Sequence, residues 1–152
     1  MARRKWLLVV LALLLAGWAG MAVLSSGPPS PTDYHTQVMQ VAQGALGAVR
    51  TMRLTGQADL DGRAVSDYVS TVFEDGLTDL SDAQRRLAGD PPPTAELARL
   101  RDELAPLLAD AGHRAGDLAA AAERDDRQAV RAAVDALGPL GDRLDDFMTR
   151  NR

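Results

Sequence analysis

The chain has 152 residues, 21 acidic against 17 basic, with no cysteine. Three of the basic residues, Arg3, Arg4 and Lys5, sit together at the start, so the rest carries fourteen basic against twenty-one acidic residues, a balance of −7. That charge argues against nucleic acid as a partner, because phosphates call for a basic footprint, and the missing cysteines exclude disulfides, thiolate zinc sites, cysteine nucleophiles and an acylated lipoprotein N-terminus.

Residues Trp6 to Leu24 read WLLVVLALLLAGWAGMAVL without one charge. At ~1.5 Å per residue this run nearly matches a hydrocarbon core ~30 Å thick. The basic cluster before it predicts, by the positive-inside rule, a cytoplasmic N-terminus and an extracytoplasmic remainder. The expected organisation is therefore residues 1–5 inside, a transmembrane anchor over 6–24, a Pro/Ser-rich spacer over 25–31 and an extracytoplasmic helical domain over 32–152. The alternative is a cleaved signal peptide, with Gly20-Met21-Ala22 as the small-residue cleavage site and a secreted product. The apolar run continues through Leu24 and Trp18 interrupts the cleavage region, which favours the retained anchor. Ala12, Ala16 and Gly20 recur every four residues, a small-residue stripe of the kind through which membrane helices pack, and offer a route to a homo-oligomer through the anchor. In so alanine-rich a segment, a chance pattern facing lipid is the commoner origin.

After the spacer SSGPPSP, apolar residues step by threes and fours four times. Tyr34, Val38, Val41, Ala45, Val49 and Met52 predict a helix over about 33–54, capped by Thr32 or Asp33. Thr55 to Gly62, with Gly56 and the turn pair Asp61-Gly62, reads as its exit. Val65, Val69, Val72, Gly76, Leu80, Ala83 and Leu87 predict a second helix over about 63–88. Gly89-Asp90-Pro91-Pro92-Pro93 breaks the chain, and Thr94 caps a third helix over about 94–123 that carries Leu97, Leu100, Leu104, Leu108, Ala111, Ala115, Leu118 and Ala122. Asp125 or Asp126, with Gln128 as in a capping box, opens a fourth helix over about 126–149 with Val130, Val134, Leu137, Leu140, Leu144 and Phe147. Pro106 and Pro139 fall inside the third and fourth helices and predict a kink in each. The aromatic core candidates are Tyr34, Tyr68, Phe73 and Phe147. Short connections favour antiparallel neighbours, so the expected fold is all-α: an up-down-up-down bundle of about four helices behind a single N-terminal membrane segment.

The chemistry-bearing residues are few. Asp110, His113 and Asp117 share one helix face, yet that face is out of phase with the core stripe and points to solvent, so no metal site is expected. His35, in the first turn of the first helix, is expected to be exposed and neutral. There is no phosphate loop, no G-x-S-x-G elbow and no H-E-x-x-H in the sequence, and neither a cofactor nor an enzymatic activity is expected. Arg50, Arg53 and Arg63 form the one local basic cluster. They are candidate contacts for an anion or a partner at the far end of the bundle, although Asp59 and Asp61 stand ready to neutralise them. Elimination leaves a non-enzymatic, membrane-anchored cell-envelope protein whose extracytoplasmic bundle docks onto another membrane or envelope protein. The alternative is an extracytoplasmic module that senses a small ligand and works through a membrane partner.

Overall fold

The computed structural model describes residues 30–152, which form four helices: α1 over Pro31–Leu60, α2 over Ser66–Gly89, α3 over Ala95–Glu123 and α4 over Arg127–Arg150. No strand occurs among the described residues. The anchor over 6–24 and its Ala12, Ala16, Gly20 stripe lie outside them. Among the described residues no helix is long and apolar enough to cross a membrane.

Each helix starts and stops for local reasons. Ser30, rather than Thr32 or Asp33, caps α1: its Oγ accepts from the Asp33 backbone N–H at 3.2 Å. Pro31 takes the first helical position, where its missing N–H costs nothing. α1 then runs through the Thr55-Gly56 pair expected to end it and stops only at Leu60, where the Arg63 N–H reaches back to the Ala58 carbonyl at 2.9 Å and Gly62 adopts a left-handed φ of 68°. Thr94 caps α3, its Oγ1 accepting from Leu97 N–H at 3.2 Å. Asp126 caps α4 through Ala129 N–H at 3.0 Å, while its neighbour Asp125 takes the left-handed turn position at φ 52° and so cannot head a capping box. Both α3 and α4 run unbroken through Pro106 and Pro139. Both prolines are exposed, so water can satisfy the carbonyls they leave unpaired four residues earlier.

Each helix runs antiparallel to the next, as contacts at their ends and middles show. Met52 of α1 fills the space opposite Gly76 of α2. The Gln84 amide of α2 donates to the Leu108 carbonyl of α3 at 2.9 Å, and Arg150 of α4 reaches Glu103 of α3 at 2.6 Å. The circle closes where His35 near the start of α1 meets the Asn151 carbonyl after α4, and where Arg127 at the start of α4 donates to the Leu60 carbonyl at the end of α1. The beginning of the bundle and its C-terminus therefore share one end.

The predicted stripes supply the core. Val38, Val49, Met52, Leu80, Leu104, Leu108, Leu118, Leu137, Leu140, Leu144 and Phe147 are essentially inaccessible, each contributing roughly 1.5–3 kcal/mol by leaving water. Two glycines set how closely the helices approach. A Cβ on Gly56 would fall 2.6 Å from Val134 Cγ2, and one on Gly76 would fall 2.5 Å from Met52 Sδ. Gly56 is thus a packing residue inside α1 and not the turn residue the sequence suggested. Tyr68, an expected core aromatic, is 61% exposed, and Val65, the expected start of the second stripe, is 72% exposed. Val65 precedes the first turn of α2, so the helical phase that buries Val69 and Phe73 does not extend back to it.

Candidate functional site

The three arginines singled out in the sequence do not form one cluster. Because α1 continues to Leu60, Arg50 and Arg53 stand two to three turns before its end rather than at it. Arg50 reaches Asp145 of α4 at 3.4 Å, with both side chains more than half exposed. The Arg53 guanidinium lies beside Gly138 of α4, where an added Cβ would come 3.6 Å from its Cζ. Arg63, in the turn after α1, pairs with Asp61 at 2.6 Å. Seven residues of helix, about 10 Å of rise, and then the turn after Leu60 separate Arg53 from Arg63. What the fold does unite is Arg50 and Arg53, side by side on the edge of α1 that faces α4.

The helix face with Asp110, His113 and Asp117 carries a structural clamp. Asp110 receives Arg114 Nε at 2.7 Å from its own helix and the guanidinium of Arg143 from α4. Burial alone would raise its pKa, but hydrogen bonds from Arg143 and Arg114, reinforced by their charges, outweigh that and hold the carboxyl below its ordinary value. Both oxygens are thereby engaged. Among the described residues no group of three His, Asp or Glu side chains is placed to hold a metal ion.

At the end shared by the start of α1 and the C-terminus, a cleft of about 710 Å³ opens between α1, α3 and the end of α4. His35, Glu96, Leu97, Arg99, Glu103 and Arg150 are among the residues that line it. His35 is half-buried there, its Nε2 2.9 Å from the Asn151 carbonyl, not exposed as its position in the first turn suggested. One buried polar atom in the bundle has no hydrogen-bond partner, the Tyr34 hydroxyl. Burial, the largest influence on it, raises its pKa.

Among the described residues three large apolar side chains are exposed: Leu54 (64% exposed), Val65 and Tyr68. Leu54 stands on the outer face of α1 six residues before its end, while Val65 and Tyr68 stand at the start of α2. The helical pattern alone foretells Leu54, which lies opposite the core stripe of α1. Tyr68 lies one residue from Val69 and was out of reach of any argument from aromatic content.

No family model, characterised protein or solved structure matches the chain.

Proposed function

We propose that this chain is a non-enzymatic, membrane-anchored cell-envelope protein that works by protein–protein interaction of its helical bundle. The anchor is read from the charge-free run over 6–24 behind Arg3, Arg4 and Lys5. The observation that carries the docking half is the exposure of Leu54 on the outer face of α1 and of Val65 and Tyr68 at the start of α2, in a domain whose other large apolar side chains are buried or half-buried. Exposed aromatic and aliphatic groups of this kind anchor interfaces, because they lose unfavourable hydration when covered. The double substitution Leu54→Glu with Tyr68→Glu tests it. Loss of proteins co-purified with the detergent-solubilised chain, at unchanged thermal stability, is expected. Unaltered co-purification would contradict a role for this region.

A second reading has one specific observation in its favour. The cleft is lined by the guanidinium groups of Arg99 and of Arg150, the latter paired with Glu103, and guanidinium groups suit a small carboxylate or phosphate, as an extracytoplasmic ligand-sensing module requires. Isothermal titration with small dicarboxylates and inorganic phosphate, on wild type and Arg99→Ala, separates this reading from the first.

A further inference from the structure

The solvent face of α1 differs in kind from that of every other helix. Between Asp33 and Arg50 the sequence contains no Asp, Glu, Lys or Arg. From Thr36 on, the exposed residues of that helix are Thr36, Gln40, Gln43, Gly44, Gly47, Thr51 and Leu54, at helical spacings of three and four, with exposed Arg50 and Arg53 beside them on the edge toward α4. The exposed sides of the other helices carry charges throughout: Asp67, Glu74, Asp75 and Asp79 on α2, Glu96, Arg99 and Asp102 on α3, and Asp135, Asp142 and Asp145 on α4. Charge depletion at the centre of a patch is the compositional mark of an interface. Gly44 and Gly47 leave open space where a Cβ would be, with nothing within 4 Å, so a second helix can approach closely.

The edges of this face carry opposite charges. On the side toward α4 stand Arg50, bridged to Asp145, and Arg53, beside Gly138. On the side toward α2, Asp79, Asp82 and Arg86 line the groove with Gln40 and Gly44, and exposed Asp75 lies one turn further on, so three carboxylates stand there against one guanidinium. Since Met52 packs against Gly76 and the two helices are antiparallel, Asp75 and Asp79 stand within about one helical turn of the level of Arg53 and Arg50.

We infer that the occupant of this face is a second copy of the same chain, with the two α1 helices side by side and parallel. A two-fold axis along α1 lays the α2 edge of one copy against the α4 edge of the other at the same height, so Asp75 and Asp79 meet Arg53 and Arg50 of the second copy, twice over. An axis across α1 would set acidic edge against acidic edge and is disfavoured. The face from Thr36 to Leu54 is ~28 Å long, and with both flanking grooves it covers about 1,100 Å² over two copies, near the lower limit for a specific interface. The dimer is therefore one that dilution reverses. The inference deepens the docking reading above, which it presupposes, by naming a partner. Two copies entering one membrane from the same side would also be parallel.

The absence of cysteine makes the test direct. Gln43→Cys, Gly47→Cys and Thr51→Cys, each in the full-length chain in native membranes, are oxidised with copper-phenanthroline beside Ala132→Cys, an exposed position on α4. Parallel pairing brings each of the three α1 positions against itself, so all three give disulfide-linked homodimers and Ala132→Cys gives at least five-fold less. Reversing Arg50→Asp or Asp79→Arg alone lowers the Gly47→Cys yield several-fold, and the two together restore it. Homodimer at only one α1 position would mean antiparallel helices, and equal yield at Ala132→Cys would mean random collision; either overturns the proposal. Cross-linking of the α1 positions solely to another protein also overturns it, while leaving the docking reading standing. No product at any α1 position, together with an unaltered set of co-purifying proteins in the Leu54→Glu, Tyr68→Glu variant, would remove both.

Discussion

Gly56 and Val134 pack so closely that a Cβ on the glycine would fall 2.6 Å from Val134 Cγ2. This contact, with Leu118 on the third side at 3.4 Å, joins α1, α3 and α4 at one level. Gly56→Ala is expected to lower stability by about 1–3 kcal/mol, the usual cost of overpacking a filled core. Gly116→Ala, on α3 where nothing lies within 4 Å, is expected to raise it by ~0.5–1 kcal/mol through helix propensity alone. Urea unfolding of both variants checks the contrast. If the Gly56→Ala variant is as stable as wild type, the close approach is not as described.

The clamp of Asp110 between Arg114 and Arg143 predicts a pH signature. A carboxyl held below its ordinary pKa in the folded state contributes stability that is complete above the unfolded value near 4 and is lost as pH falls through the folded value. Because Arg143 is half exposed, screening limits the contribution to about 1 kcal/mol. Asp110→Asn should therefore melt lower than wild type at pH 7, with the gap closing toward pH 2. A gap independent of pH would mean that the substitution acts by packing.

Tyr34 places a hydroxyl among core side chains with no partner. Removing it takes away an uncompensated desolvation cost, so Tyr34→Phe is expected to be neutral or to stabilise by up to ~1 kcal/mol. A loss above 1 kcal/mol in thermal or urea unfolding would show that the hydroxyl is satisfied in solution.

The turn between α3 and α4 holds Asp125 at a left-handed φ of 52°. Glycine adopts this conformation without the Cβ penalty, so Asp125→Gly should raise the melting temperature by a few degrees and Asp125→Val should lower it. The reverse order would contradict the turn geometry.

The four helices and most of their buried faces were legible because each stripe repeats over many turns: Val38 to Met52, Leu80 to Leu87, Leu97 to Leu118 and Val130 to Phe147 are all core. What was not legible depends on partners distant in sequence. Gly56 reads as a helix breaker until Val134 and Leu118 are seen beside it. Ser30 looks like spacer until Pro31 proves to be the first residue of α1. The convergence of Arg50, Arg53 and Arg63 failed because α1 runs six residues past its expected end at 54. The Glu103–Arg150 and Asp110–Arg143 pairs were within reach, since opposite charges at mirrored positions about the Arg124–Asp126 turn are brought together by any antiparallel hairpin. The uncharged outer face of α1 was present in the sequence as well, but only the fold shows Arg50 and Asp79 standing on its opposite edges.

The central claim is a bundle held at a membrane that works by binding protein. Its most direct test is to purify the full-length chain from its native membrane in mild detergent and to read the intact mass, the native mass of the complex and the identity of co-purifying chains from one sample. The account predicts an uncleaved N-terminus and a stoichiometric complex, whether with a second copy or with another envelope protein. A chain that begins near Val23 or Ser26, soluble and monomeric, would contradict it.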